Sequence, residues 1–384
     1  MPSRVYTGRA ISAAVCMFAL SVVSARAQGV TASDVFAPHV STLAANAGEL
    51  VALHVHRKVA TQPAGQVNAV DRVVLFVHGA TTPAVPAFGF DHKDYNWMAF
   101  LARAGFDVWA MDMTGYGSSP RPMMDDPCNV DPKQQQILLK RPLAAPCAPH
   151  YSLMFKTVRN DWDEIDSVVD HIRRVTGAAK VSLVSWSAGG PRAGGYAALH
   201  PDKINRVVLY APGAVRSEFN ATTKPEAGVP IRLQTRTDLE KTRWDPDVRC
   251  TGQVEPGVRD ALWTQIMQWD HVGASWGPEE GVMRAPTLSK YGWSPEMAGG
   301  LKMPVMVIVG EYDNPAARRS VFDAAGSADK VFLKVACASH FILWEKQHKV
   351  LHNASLEWLR DGKFGSATRG VFDADAEGKV TKAD

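Results

Sequence analysis

The chain has 384 residues, 46% hydrophobic and 21% charged, the proportions of an ordinary globular protein with a large core. Its 42 basic and 39 acidic residues are mixed along the chain, so no basic patch for nucleic acid stands out. It shows neither a repeat of 20 to 50 residues nor a long low-complexity tract.

At the N-terminus, Arg4 and Arg9 precede an uncharged stretch from Ala10 to Ala25, which ends in Ala25-Arg26-Ala27. The apolar part is shorter than the roughly 20 residues that a membrane span needs, and the A-x-A pattern reads as a cleavage site. Residues 1–27 are therefore expected to be a signal peptide, with an exported (periplasmic or secreted) mature protein and no stable membrane anchor. Those residues hold three arginines and no acid, so the remainder has 42 − 3 = 39 basic against 39 acidic residues. Cys16 leaves with them, and four cysteines remain. Four allow three pairings. Cys128 and Cys147 share one Pro-rich stretch, which favours Cys128–Cys147 and Cys250–Cys337. Zinc is the alternative, but no C-x-x-C spacing is present.

Short runs rich in Val, Ile and Phe follow at Glu49–Val55, Arg72–His78, Asp107–Asp112, Lys180–Trp186, Asn205–Tyr210, Val305–Gly310 and Val331–Ala336. Helical patterns fall between them. Trp162, Ile165, Val168, Val169, Ile172 and Val175 make one stripe, and Gly177 stops it. Asn96–Ala104 and Val350–Leu359 read likewise. Such alternation predicts an α/β protein, its mostly parallel sheet covered by helices on both faces. Ligands bind outside the carboxyl ends of such strands. Those ends read His78-Gly79-Ala80, Asp112 to Ser119 (DMTGYGSS), Ser185-Trp186-Ser187-Ala188-Gly189 and Gly310-Glu311-Tyr312-Asp313, with His340 past a later run.

These motifs resemble the α/β-hydrolase superfamily over roughly residues 68–212 and 300–360. The resemblance implies an α/β-hydrolase fold with an inserted cap, and a chain order of nucleophile, acid and base that here is Ser187, Asp313, His340. Serine replaces the usual elbow glycine at position 185. Small residues are required two positions either side of the nucleophile, and Ser187 has Ser185 and Gly189. A nucleophile at Ser185 would have bulky Leu183 instead. Glu311 and Asp112 compete with Asp313 for the acid. Asp112 belongs to the glycine loop, and His78 to an H-G motif where histidine is usually structural. Oxyanion donors are expected from the backbone of Ala188 and of Ala80, with Thr81 second. Neither a metal nor an organic cofactor is required.

The expected organisation is a signal peptide (1–27), a first core part (28–213), a cap (214–300), a second core part (301–362) and a polar tail (363–384). The cap region holds five of the eleven tryptophans, which suggests a substrate with an apolar or aryl portion; Trp186 is expected to be buried. His54 with His56, and His348 with His352, read as surface pairs. Asp373 to Asp384 aligns with an EF-hand loop, but reads rather as a disordered tail. The leading expectation is a serine hydrolase acting on a small-molecule carboxylic ester. A C–C bond hydrolase or a prolyl-type aminopeptidase would keep the triad, the latter with Glu279 and Glu280 as candidates to hold an amine. A non-catalytic binding protein on the same fold is the third reading. Epoxide hydrolases and haloalkane dehalogenases need Asp where Ser187 stands.

Overall fold

The computed structural model describes residues 29–61 and 71–383. The expected signal peptide lies outside the described residues. Among those described, no helix is long and apolar enough to cross a membrane.

Ten strands form one sheet: β1 (Val30–Val40), β2 (Leu50–Ala60), β3 (Val73–Val77), β4 (Asp107–Met111), β5 (Val181–Trp186), β6 (Ile204–Tyr210), β7 (Val305–Gly310), β8 (Lys330–Val335), β9 (Gly370–Ala374) and β10 (Val380–Lys382). Their order is β1-β2-β4-β3-β5-β6-β7-β8-β9-β10. The seven strands from β4 to β9 in that order are parallel, and β1, β2 and β10 are antiparallel to their neighbours. Central strands read as unbroken apolar runs because both faces are covered. Val74 and Phe76 pack with Trp97 and Ile308 on one face, while Leu75 and Val77 pack with Ile165 and Leu183 on the other.

The helix Val158–Thr176 buries Trp162, Ile165, Val168, Val169 and Ile172, but the expected Val175 is exposed. Asn160 Oδ1 accepts the Thr157 N–H at 2.8 Å to start it, and Gly177 ends it at φ 74°.

One strand was missed and one expectation fails here. β1 was absent from the predicted elements, because most of its residues are exposed and its sequence does not alternate. The polar tail is not disordered either. β9 extends the sheet beside β8, with Phe372 and Ala374 buried. Of the stretch aligned with an EF-hand loop, Asp373 and Ala374 end β9, residues 375–379 form a turn and Val380–Lys382 form β10. There Asp375 Oδ1 accepts the N–H groups of Glu377 and Lys379, and Asp373 pairs with Lys334.

Residues 214–300 hold a two-stranded pair, Ile231–Gln234 with Met283–Pro286, and the helix Val258–Gln268. They share an apolar cluster with the Pro-rich excursion: Met124, Val130, Leu138 and Phe155 meet Ile231, Leu233, Trp276 and Val282. Among the described residues, Cys128 is bonded to Cys147 and Cys250 to Cys337. The second ties this segment to the loop before His340.

Candidate active site

In the strand order, the chain runs from β3 to β4 on one side and returns to β5 on the other, so β3 and β5 flank a topological switch point. The crevice at their carboxyl ends is the place such a sheet offers a ligand. Gly79 follows β3 and Ser187 follows β5. The approach is so close that a Cβ on Gly79 would lie 3.1 Å from the Ser187 Cβ, which only glycine avoids.

Ser187 has φ 59°, a left-handed conformation that costs energy in a non-glycine residue. Surrounding bonds hold it there. Its N–H donates to Tyr210 O at 3.0 Å, and its carbonyl accepts from Gly190 N at 2.9 Å and Gly213 N at 3.0 Å. A Cβ on Gly189 would lie 2.4 Å from Val77 O and 3.0 Å from the Ser185 Cβ, so the small residues either side of Ser187 are sterically required. Ser185 itself is fully buried, and its hydroxyl meets no partner among the described residues.

Ser187 Oγ lies 2.9 Å from His340 Nε2. On the other side of the ring, His340 Nδ1 lies 3.0 Å from Asp313 Oδ1, close but off the line of a straight hydrogen bond. Burial pushes the Asp313 carboxyl up, yet His340 and then Arg318 hold it below its ordinary value. Sequence reasoning missed Arg318. Its Nη2 and Nε donate to the two Asp313 oxygens at 3.0 and 3.3 Å, and its Nη1 to Pro212 O at 3.1 Å. The short spacing of Asp313 and Arg318 around a helix start was the available signal. The competing Glu311 turns away, accepting the Cys337 N–H at 3.0 Å.

The His340 loop is clamped by buried groups. Trp186 Nε1 donates to His340 O at 2.9 Å, and Tyr210 O–H donates to Ser339 O at 2.5 Å. Glu345 accepts from Ser339 N and Oγ, and from Trp244 Nε1 and Gln253 Nε2 of the 214–300 segment. Burial raises the Glu345 carboxyl above its ordinary value despite these donors.

Beneath the elbow lies a fully buried set of charges: Lys156, Asp161, Glu164 and Arg192. Arg192 Nε donates to Asp161 Oδ2 at 2.9 Å, and Lys156 Nζ lies 2.6 Å from Asp161 Oδ1. Arg192 Nη1 donates to His78 O at 2.9 Å and Gly79 O at 2.7 Å. In a trans peptide the C=O and the next N–H point opposite ways. Pinning Gly79 O therefore turns the Ala80 N–H away from Arg192, and pinning Ser187 O turns the Ala188 N–H away from the Gly190 and Gly213 N–H groups. Among the described residues, neither N–H meets an acceptor.

His78 donates from Nδ1 to Gly79 O at 2.8 Å and accepts the Met113 N–H at Nε2, which fixes a neutral ring. Burial, with the nearby Arg192 charge, pushes its pKa down to about 3. Asp112 accepts from Ala84 N, Ser118 N and His54 Nδ1. The two surface-pair readings are corrected. His54 and His56 are buried and share Asp34, and His348 and His352 are buried against Tyr95 and Trp97. Trp244, Trp263, Trp276 and Trp293 are buried in packing, and Trp269 stands over His54 and His56, so none argues for an aryl substrate. Trp186 is buried as expected. Glu279 and Glu280 are exposed.

One metal-like grouping occurs among the described residues, Asp126 with Cys128 and His150, but the Cys128 sulfur is in a disulfide. A cavity of about 940 Å³ is lined by residues including Arg159, Arg216, Phe219 and Tyr291, and neither Ser187 nor His340 lines it. The strained serine and its polar chain, not this cavity, make the candidate site.

A family model described as alpha/beta hydrolase fold matches residues 72–239. The ten-stranded sheet described above, with helices on both faces, has this fold. No curated protein matches it. Among solved structures, a serine hydrolase involved in carbazole degradation is 16% identical, with 85% of this chain and 99% of that one covered at a TM-score of 0.49. A monoacylglycerol lipase of Paleococcus ferrophilus is 21% identical, covering 80% and 98% at 0.44. The 2-hydroxy-6-oxo-6-phenylhexa-2,4-dienoate hydrolase of Rhodococcus sp. strain RHA1 is 13% identical, covering 86% and 99% at 0.49. Likenesses this distant carry no argument about substrate or bond.

Proposed function

We propose that the protein is an exported serine hydrolase that cleaves small-molecule carboxylic esters through an acyl-enzyme on Ser187. The observation that carries this reading is the run from Ser187 Oγ through His340 to Asp313, with contacts of 2.9 and 3.0 Å. A serine hydroxyl is a poor nucleophile at neutral pH and needs a base beside it. His340 Nε2 takes the Ser187 proton as Oγ bonds to the ester carbon. Asp313 stays ionised and stabilises the imidazolium that forms. The carbonyl oxygen becomes an anion, received by the N–H groups of Ala80 and Ala188. Collapse breaks the carbon–oxygen bond, and the leaving alcohol takes the proton from Nε2. Water then attacks the acyl carbon and gives its proton to Nε2. A second collapse frees the acid and returns that proton to Ser187. The segment 214–300 serves as the cap, joined to the base loop through Glu345 and the Cys250–Cys337 bridge.

The test is hydrolysis of p-nitrophenyl esters of graded chain length by the mature protein, beside aminoacyl-naphthylamides. Turnover of esters that disappears in Ser187→Ala is expected. Turnover of the naphthylamides alone would replace the ester with an aminopeptidase reading.

A further inference from the structure

Two arginines of the 214–300 segment border the site without a carboxylate among the described residues. Arg232, on the strand Ile231–Gln234, donates from Nη2 to Ala80 O at 3.2 Å. Ala80 adjoins Gly79, the residue that crowds Ser187. Arg243, in the π-helical segment Asp238–Trp244, sits with its guanidinium carbon 5.8 Å from the Phe341 ring centroid. The Phe341 ring is in turn 5.4 Å from the His340 ring. One arginine thus borders the proposed oxyanion loop, and the other borders the proposed base.

Their neighbours of the same kind are engaged. Arg318 holds Asp313, and Arg249 pairs with Asp247 at 3.3 Å. Among the described residues, neither Arg232 nor Arg243 has a carboxylate within ion-pair distance; Arg232 is half-buried and Arg243 is exposed. The Arg243 guanidinium lies within electrostatic reach of both Arg232 and Asp313. Two like charges facing one crevice repel each other, and an anion between them would relieve that repulsion. The planar guanidinium fork matches a carboxylate in geometry.

We infer that the preferred ester carries a second, ionised carboxylate, received by Arg232 and Arg243 at the crevice beside Ser187. This rests on the ester reading and narrows its substrate class. Arg232 also anchors the Ala80 carbonyl, so Arg243 is the cleaner residue to change.

Two pairs of esters test it. Mono-p-nitrophenyl glutarate is compared with p-nitrophenyl pentanoate, and 4-butyryloxybenzoate with phenyl butyrate. The anion lies on the acyl side in the first pair and on the alcohol side in the second. In at least one pair the anionic ester should have the higher kcat/KM, by about tenfold, as charge-assisted hydrogen bonds allow. Arg243→Gln should lower that ratio by about tenfold through KM, Arg243→Lys should restore part of it, and added salt should weaken it. A neutral preference in both pairs, or a ratio that Arg243→Gln leaves unchanged, would overturn the inference. Should no ester be hydrolysed, the ester reading fails, and calorimetry with glutarate decides the anion site alone. Binding that weakens in Arg243→Gln would support it, whereas an absence of heat with the unmodified protein, or unchanged binding in the variant, would overturn it.

Discussion

Arg192→Met should separate the stability of the buried charge set from its effect on the elbow. Lys156, Arg192, Asp161 and Glu164 balance to zero net charge, and all are fully buried. Methionine has similar length but removes the Nε bond to Asp161 and the Nη1 bonds to His78 O and Gly79 O. One carboxylate charge is then left uncompensated, which costs about 3–5 kcal/mol when one partner of a buried pair is removed. That is a large part of the roughly 5–15 kcal/mol that holds a typical domain folded. The Gly79–Ala80 peptide also loses its anchor, so kcat should fall. The roughly 10²–10³ loss seen on removing one oxyanion donor is the upper limit. Adding Asp161→Asn restores neutrality, with Lys156 left facing Glu164. The double variant should regain most of the stability but not the kcat. Guanidinium unfolding midpoints and ester turnover on the three proteins provide the readouts. A stability loss under about 1 kcal/mol in Arg192→Met, or a double variant that recovers kcat together with stability, would refute the reasoning.

Other outcomes follow from the same contacts. His78 is neutral and buried, with its folded pKa held down to about 3, so the unfolded chain binds its proton first on acidification. Its contribution is therefore intact above about pH 6.5 and falls between there and pH 3, by about 1.4 kcal/mol per unit; a flat urea midpoint across that window in wild type, with His78→Gln as the reference, would contradict this. Ser185→Gly should be mild because it only removes a buried hydroxyl without a partner, whereas Ser185→Val should crowd Gly189 and lower stability, typically by about 1–3 kcal/mol; circular dichroism melts would show the difference. Non-reducing peptide mapping should recover Cys128 with Cys147 and Cys250 with Cys337, and free thiols at Cys250 and Cys337 would remove the covalent tie between the cap and the base loop.

The sequence was most legible where one local rule suffices. Central strands are continuous apolar runs because both faces are covered, and the Ser185–Gly189 elbow is visible because crowding admits only small residues. Pairings across long separations left no local trace. Arg192 meets Asp161 from 31 positions away, and His54 meets Asp112 from 58. Without those partners in view, buried histidines read as surface ones. β1 and β9 were missed for a related reason. The edge strand β1 buries little, so its sequence carries a weak apolar alternation, and in and just after β9 polar Asp373 and Asp375 outweighed Phe372.

The central claim is that Ser187, and not Ser185, is the nucleophile. Incubation of the mature protein with an organophosphonate probe, followed by peptide mass spectrometry, reads this directly. One label is expected, on Ser187, and Ser187→Ala should take up none while losing roughly 10⁴–10⁶ of kcat with its fold intact. A label on Ser185, or ordinary turnover by folded Ser187→Ala, would contradict the account.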